Sequence, residues 1–153
     1  MEYAKDSAFI KDFVLRTKEN IHCGNHPYEV TQLINSLVGL LILPKERYYK
    51  NIQDNMLDSE LLADIRSQIE INNPPKYCSL KYIVRRMRNA IAHFNIVCKA
   101  DKHTHKIDKI VFSDFDDGNT GRAPNFRISL PVDLVQRFVE QFSEAVSQSI
   151  VTN

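Results

Sequence analysis

The stretch "YIVRRMRNAIAHFNIV" at residues 82–97 holds a clear helical repeat and the place where that repeat stops. Ile83, Met87, Ala90, Ile91 and Phe94 recur at spacings of three and four, which predicts a helix with one buried stripe. On a wheel of about 100° per residue they share a sector facing the core. Ser79 stands where an N-cap would satisfy the first turn. From residue 96 the period changes. Arg88, Asn89 and His93 are what the stripe leaves over. Asn89 and His93, four apart, share one flank of the core sector, whereas Arg88 lies roughly 140° away from His93 around the axis. In one straight helix these two meet only if the Arg side chain wraps back. Either the helix end is frayed or kinked at His93, or a second copy of the chain completes the group across a two-fold axis.

Upstream, residues 6–21 repeat as an amphipathic helix through Ile10, Phe13, Val14, Thr17 and Ile21. "HCGNHP" breaks it, and Pro27 suits the first turn of a second helix reaching about Leu43. Val30, Leu33, Ile34, Leu37, Val38 and Leu41 form its apolar face, and its last two turns are apolar nearly all round, so it belongs at the centre or against a second subunit. After Pro44, "KERYYKN" reads as a polar turn or short helix. Asp58 or Ser59 caps a third helix with a stripe of Leu61, Leu62, Ile65 and Ile69. "NNPP" at 72–75 ends it. Downstream, "KIDKIVFSDFD" and "NFRISLP" alternate around "DGNTGRAP" and predict a β-hairpin with a long loop. Pro131 opens a last helix facing the core through Val135, Phe138, Val139, Phe142 and Val146. The expected fold is mainly α: a bundle of about five helices with a β-hairpin inserted before the C-terminal helix, in a single domain over residues 1–153.

Composition narrows the class. Apolar and charged fractions are those of an ordinary soluble globular protein. The longest apolar run, "LVGLLIL", is far short of the roughly 20 residues that span a bilayer, so no membrane partner is expected. "MEYAKDSAF" lacks the layout of a signal peptide. Three widely spaced cysteines, Cys23, Cys78 and Cys98, point to free thiols in a reducing cytoplasm. Charge is uneven along the chain. Residues 76–110 carry nine Lys and Arg against two Asp, a net +7 in a chain of net +1, so the remainder carries −6. Such a basic segment fits a local anionic partner such as a phosphate backbone, or equally a solvated charged face. Lys81, Arg85 and Arg86 on the helix, and Lys106 in "HTHK", are the candidate RNA-phosphate contacts.

Histidine takes or gives a proton near neutral pH, and a guanidinium clamps phosphate oxygens and stabilises developing charge on phosphorus. An Asn one turn before the His can orient the ring or the substrate. Such a set can activate a ribose 2′-hydroxyl against its own phosphate with neither metal nor cofactor, and DNA lacks that nucleophile. The plain counter-reading is a solvated flank with a hydrogen-bonded histidine.

"RNAIAH" resembles the R-polar-x-x-x-H motif of the HEPN (higher eukaryotes and prokaryotes nucleotide-binding) family, and it sits on a late helix as in that family. The "PYEVTQLINSLVGLLILPKERYY" helix, followed later by "RRMRNAIAHF" and a hairpin, is similar to a plasmid- and phage-defence-associated branch. The resemblance implies a cytoplasmic, metal-independent endoribonuclease working as a homodimer with the two motifs facing each other, as a toxin or defence effector with RNA as substrate and an antitoxin or other protein as possible partner. It makes Arg88 the phosphate clamp, Asn89 the polar position and His93 the proton-transfer residue. The alternative it leaves open is a non-catalytic module binding nucleotide, RNA or a protein. Family members controlled by nucleotidylation carry Tyr two residues after the His; Asn95 stands there here, which speaks against that control.

Other groups carry less. His22, Cys23 and His26 lack a matching Cys/His pair at zinc-site spacing, so no metal is expected. Tyr48 and Tyr49 fit a helix end better than a base platform.

Overall fold

The computed structural model describes residues 14–17, 19–20, 29–42 and 50–151. Residues 14–17 and 19–20 are helical, and Val14 and Thr17 are buried, as the amphipathic repeat requires. Helix α1 spans Glu29–Ile42. Its Leu33, Leu37, Leu40 and Leu41 are buried, while Val30, Ile34, Val38 and Ile42 lie half-buried against the same core. A single 3-10 turn at Asp54–Met56 leads to α2, Ser59–Ser67. The N-cap of α2 is Asp58, whose carboxylate accepts from the Leu61 amide at 2.7 Å. This removes one of the orphan donors of the first turn.

Two further strands flank the expected hairpin, and here the helical-bundle reading is corrected. Strand β1, Ile69–Asn72, follows α2 directly. Helix α3 is Leu80–Ala92; then come β2, Ile96–Ala100, β3, Ile107–Asp114, and β4, Phe126–Pro131. Together they form one four-stranded antiparallel sheet in the order β1-β4-β3-β2. The fold is therefore mixed, helices packed on a sheet, rather than a bundle bearing a hairpin. Ile69 lies four residues after Ile65 and so matched the helical stripe of α2. The Gln68 amide instead closes that helix on the Ile65 and Arg66 carbonyls, and Ile69 pairs with Ile128. What recruits "IEIN" is the open edge of β4, a partner 56 positions away in the register of Ile71 and Arg127. β2 escaped notice for another reason: apart from half-buried Ile96 it is exposed along its length, so it shows no buried alternation.

The inner face of the sheet carries Ile110, Phe112, Phe126, Ile128 and Leu130, all buried. α3 packs on β3, and α4, Val132–Val151, packs on β3, β4, α1 and α2. Val135, Phe138, Val139, Phe142 and Val146 of α4 are buried as expected. Pro131 ends β4 rather than opening α4, which starts one residue later. Burying each such side chain stabilises by about 1.5–3 kcal/mol, enough in sum to fix α3 against β3 as a rigid platform. Among the described residues no helix is long and apolar enough to cross a membrane. The "HCGNHP", Tyr48 and Tyr49 readings lie outside the described residues.

Candidate functional site

Ser79 caps α3, accepting from the Tyr82 amide at 3.2 Å, and Leu80, Ile83, Val84, Met87, Ala90 and Ile91 turn the helix's apolar side inward. That orientation presents Tyr82, Arg85, Arg86, Asn89 and His93 along the adjacent face. Across from them stands the end of β3 with the turn after it. Between the two lies an open cleft of about 710 Å³, lined also by Lys76, Asp114, Phe115, Asp116, Asp117 and Gly118.

The floor of the cleft is a polar network. Arg86 is buried, and its guanidinium donates to the buried Asp114 carboxylate at 2.8 Å and to Asp116. It also lies over the Tyr82 ring, 5.1 Å from the centroid. Burial pulls the Arg86 pKa down, but the hydrogen bonds to Asp116 and Asp114 outweigh this and hold it above its ordinary value. The hydrogen bond from Arg86 in turn holds the Asp116 carboxyl below the usual carboxylate range, against a smaller opposing effect of burial. The Asn89 amide donates to the same Asp114 oxygen at 3.1 Å. Among the described residues no buried side-chain polar atom is left without a hydrogen-bond partner.

The rim differs. Lys76 and Arg85 are exposed on it, and His93 is exposed at the C-cap of α3. The helix ends in a Schellman motif: the Phe94 amide donates to Ile91 O at 3.1 Å and the Asn95 amide to Ala90 O at 2.8 Å. His93 itself keeps near-helical φ −101°, and its amide still bonds Asn89 O; the break comes one residue later, at Phe94 with φ +57°. Phe94 was expected on the core stripe. Because the helix stops at Ala92, its ring is instead 93% exposed.

Of the residues singled out from the sequence, Arg85, Arg86, Asn89 and His93 line this cleft. Arg88, half-buried and already engaged in an interaction within the chain, does not line it; nor do the exposed Lys81 and Lys106. Lys106 sits at the tip of the β2–β3 hairpin, where Asp101 binds the amides of His103 and Thr104. Arg86 and Asn89 also have a structural task that sequence reasoning did not give them. Their partner Asp114 was missed. The available signal was "FSDFDDG", three aspartates closing a strand beside a basic segment, but which of them meets Arg86 depends on how β3 docks on α3. Among the described residues, no group of three His, Cys, Asp or Glu is placed to hold a metal ion.

A family model described as HEPN pEK499 p136 matches residues 1–152. The chain belongs to the HEPN family. Neither the curated proteins nor the solved structures gave a significant match. In this HEPN protein the "RNAIAH" motif spans the last turns of α3, with His93 on the cleft and Arg88 off it.

Proposed function

We infer that the protein is a metal-independent HEPN endoribonuclease whose site is completed by a second copy of the chain. The observation carrying this reading is His93: an exposed imidazole at a helix end, on the wall of an open cleft whose rim also presents Arg85 and Lys76. His93 would take the proton of a ribose 2′-hydroxyl, whose oxygen attacks the adjacent phosphorus. The bond to the 5′ oxygen breaks, that oxygen receives a proton, and the products are a 2′,3′-cyclic phosphate and a 5′-hydroxyl. One His cannot be base and acid in the same instant, which favours two copies of the motif in one cleft.

The separation of Arg88 from His93 supports the same conclusion. A distorted helix end was one way to join them, but with α3 ending at Ala92 and His93 as its C-cap, Arg88 still lies off the cleft. The partner's motif is then the way to bring an Arg88 to the phosphate beside His93, in addition to the Arg85 and Lys76 of the rim. By family branch, the setting we propose is a cytoplasmic toxin or phage-defence effector held in check by another protein.

The test is cleavage of RNA in the presence of chelator, with products analysed for cyclic phosphate. His93→Ala should lower the rate by about 10²–10⁴-fold without unfolding the protein, and Arg88→Ala should lower it as well. Folded variants that both cut as fast as wild type would remove the assignment. RNA bound without turnover would favour the non-catalytic module instead. A strict monomer by light scattering under cleaving conditions would remove the shared cleft.

A further inference from the structure

Phe94 follows His93 directly and holds two unfavourable states at once. It occupies the left-handed position that closes the Schellman motif, φ +57°, where glycine is the usual residue because a Cβ is strained there. Its ring is also 93% exposed, so packing does not repay that strain. Among the described residues the other strongly exposed aromatic, Tyr77, is different in kind. At 73% exposure its ring still lies 5.1 Å from the Arg66 guanidinium, and its hydroxyl is hydrogen-bonded to Arg66 and Asp54. The Tyr77 side chain has a place in the fold; at Phe94 the backbone closes the helix but the ring contributes nothing to packing. Bulky residues held in such strained backbone tend to gather where ligands bind.

The surroundings identify the ligand chemistry. One residue away, His93 enters the cleft whose rim presents Arg85 and Lys76. A flat apolar ring one residue beyond the His93 of a cleft with cations on its rim fits a nucleotide strand, with a base on the ring and phosphates in the cleft. The chain neighbours of Phe94 are the exposed His93 and half-buried Asn95. Resting on the RNA reading above, we propose that Phe94 is a stacking platform for an unpaired base flanking the phosphate held in the cleft. The substrate class is then single-stranded RNA. In a duplex the bases already stack on each other and offer no free face to the ring.

The experiment uses the full chain and a fully 2′-O-methylated oligonucleotide, which binds but has no 2′-hydroxyl to react, followed by fluorescence anisotropy. Phe94→Ala should weaken binding of the single strand by roughly 5- to 150-fold. Phe94→Trp should bind as well as wild type or better. Phe94→Gly should weaken binding as Ala does while raising the Tm, since it relieves the left-handed strain. Duplex of the same sequence should bind without dependence on residue 94. Unchanged single-strand affinity in Phe94→Ala overturns the platform and leaves the ribonuclease reading standing. A weakened Phe94→Ala that has also become monomeric by light scattering overturns it too, and assigns the ring to the second copy of the chain. Wild type that neither binds nor cuts any RNA overturns both readings together.

Discussion

Two neighbouring parts of α3 treat polar and aromatic groups in opposite ways. At Arg86 and Asn89 the side chains are committed to the fold: one carboxylate, Asp114, accepts from both, and the guanidinium lies over the Tyr82 ring. At His93 and Phe94, one turn further on, an imidazole and a phenyl ring stand in solvent at a helix end with a left-handed residue. The first part is a joint between α3 and β3. It fixes the second part in space without supplying its chemistry. The difference separates residues that look alike in sequence: among three arginines in four positions, Arg86 is structural, Arg85 is on the cleft rim, and Arg88 is off it.

The comparison breaks most visibly at the joint. Arg86→Met leaves Asp114 buried without its cation and should cost about 3–5 kcal/mol in urea unfolding. Adding Asp114→Leu should recover part of that loss, since an apolar pair carries no stranded charge. A cost below about 1 kcal/mol for the single change would mean that the joint contributes little. Asn89→Ala removes one hydrogen bond to a carboxylate and should cost about 1.5 kcal/mol. If it instead abolishes cleavage without touching stability, Asn89 belongs with His93 and the division between the two parts is misplaced. At the helix end the sign reverses, for Phe94→Gly should stabilise by about 0.5–1 kcal/mol, the relief of strain exceeding the added freedom of the unfolded chain.

The smallest effect concerns pH. Asp116 has a folded pKa below its unfolded value, chiefly through the hydrogen bond from Arg86. Its stabilisation is therefore present above the unfolded carboxylate range, near pH 4, and is lost as pH falls through the lower folded value. Asp116→Asn should slightly lower stability near neutrality, where that stabilisation is present, and flatten the profile in the acid window, so that the two proteins converge at low pH. Identical acid profiles for the two proteins would show that the Arg86–Asp116 pair adds nothing to the joint.

Much of the helical frame could be read from periodicity. The stripes of α1, α3 and α4 and the caps at Asp58 and Ser79 agree with the structure because they are set by contacts three or four residues apart. The sheet could be read only in part. β3 and β4 alternate visibly, having one buried face. β1 shares its hydrophobic phase with the preceding helix, and β2 has almost no buried face to announce it. Phe94 was misassigned for a related reason. Its spacing from Ala90 and Ile91 is helical, but a spacing does not say where the helix stops.

By itself, the sequence determined the family, to which the "RNAIAH" motif and its basic surroundings pointed, and the candidate residues that the proposed chemistry uses. The periodic burial that makes residues 80–92 a core-facing helix was in it too, though not the stop at Ala92. Tertiary structure alone decided how those residues divide. The docking of β3 on α3 gave Asp114 to Arg86 and Asn89, put His93 on an open cleft and left Arg88 outside it. That docking joins positions 25 to 28 residues apart. No local pattern encodes such a distance, since it is set by the packing of Ile110 and Phe112 beneath the helix.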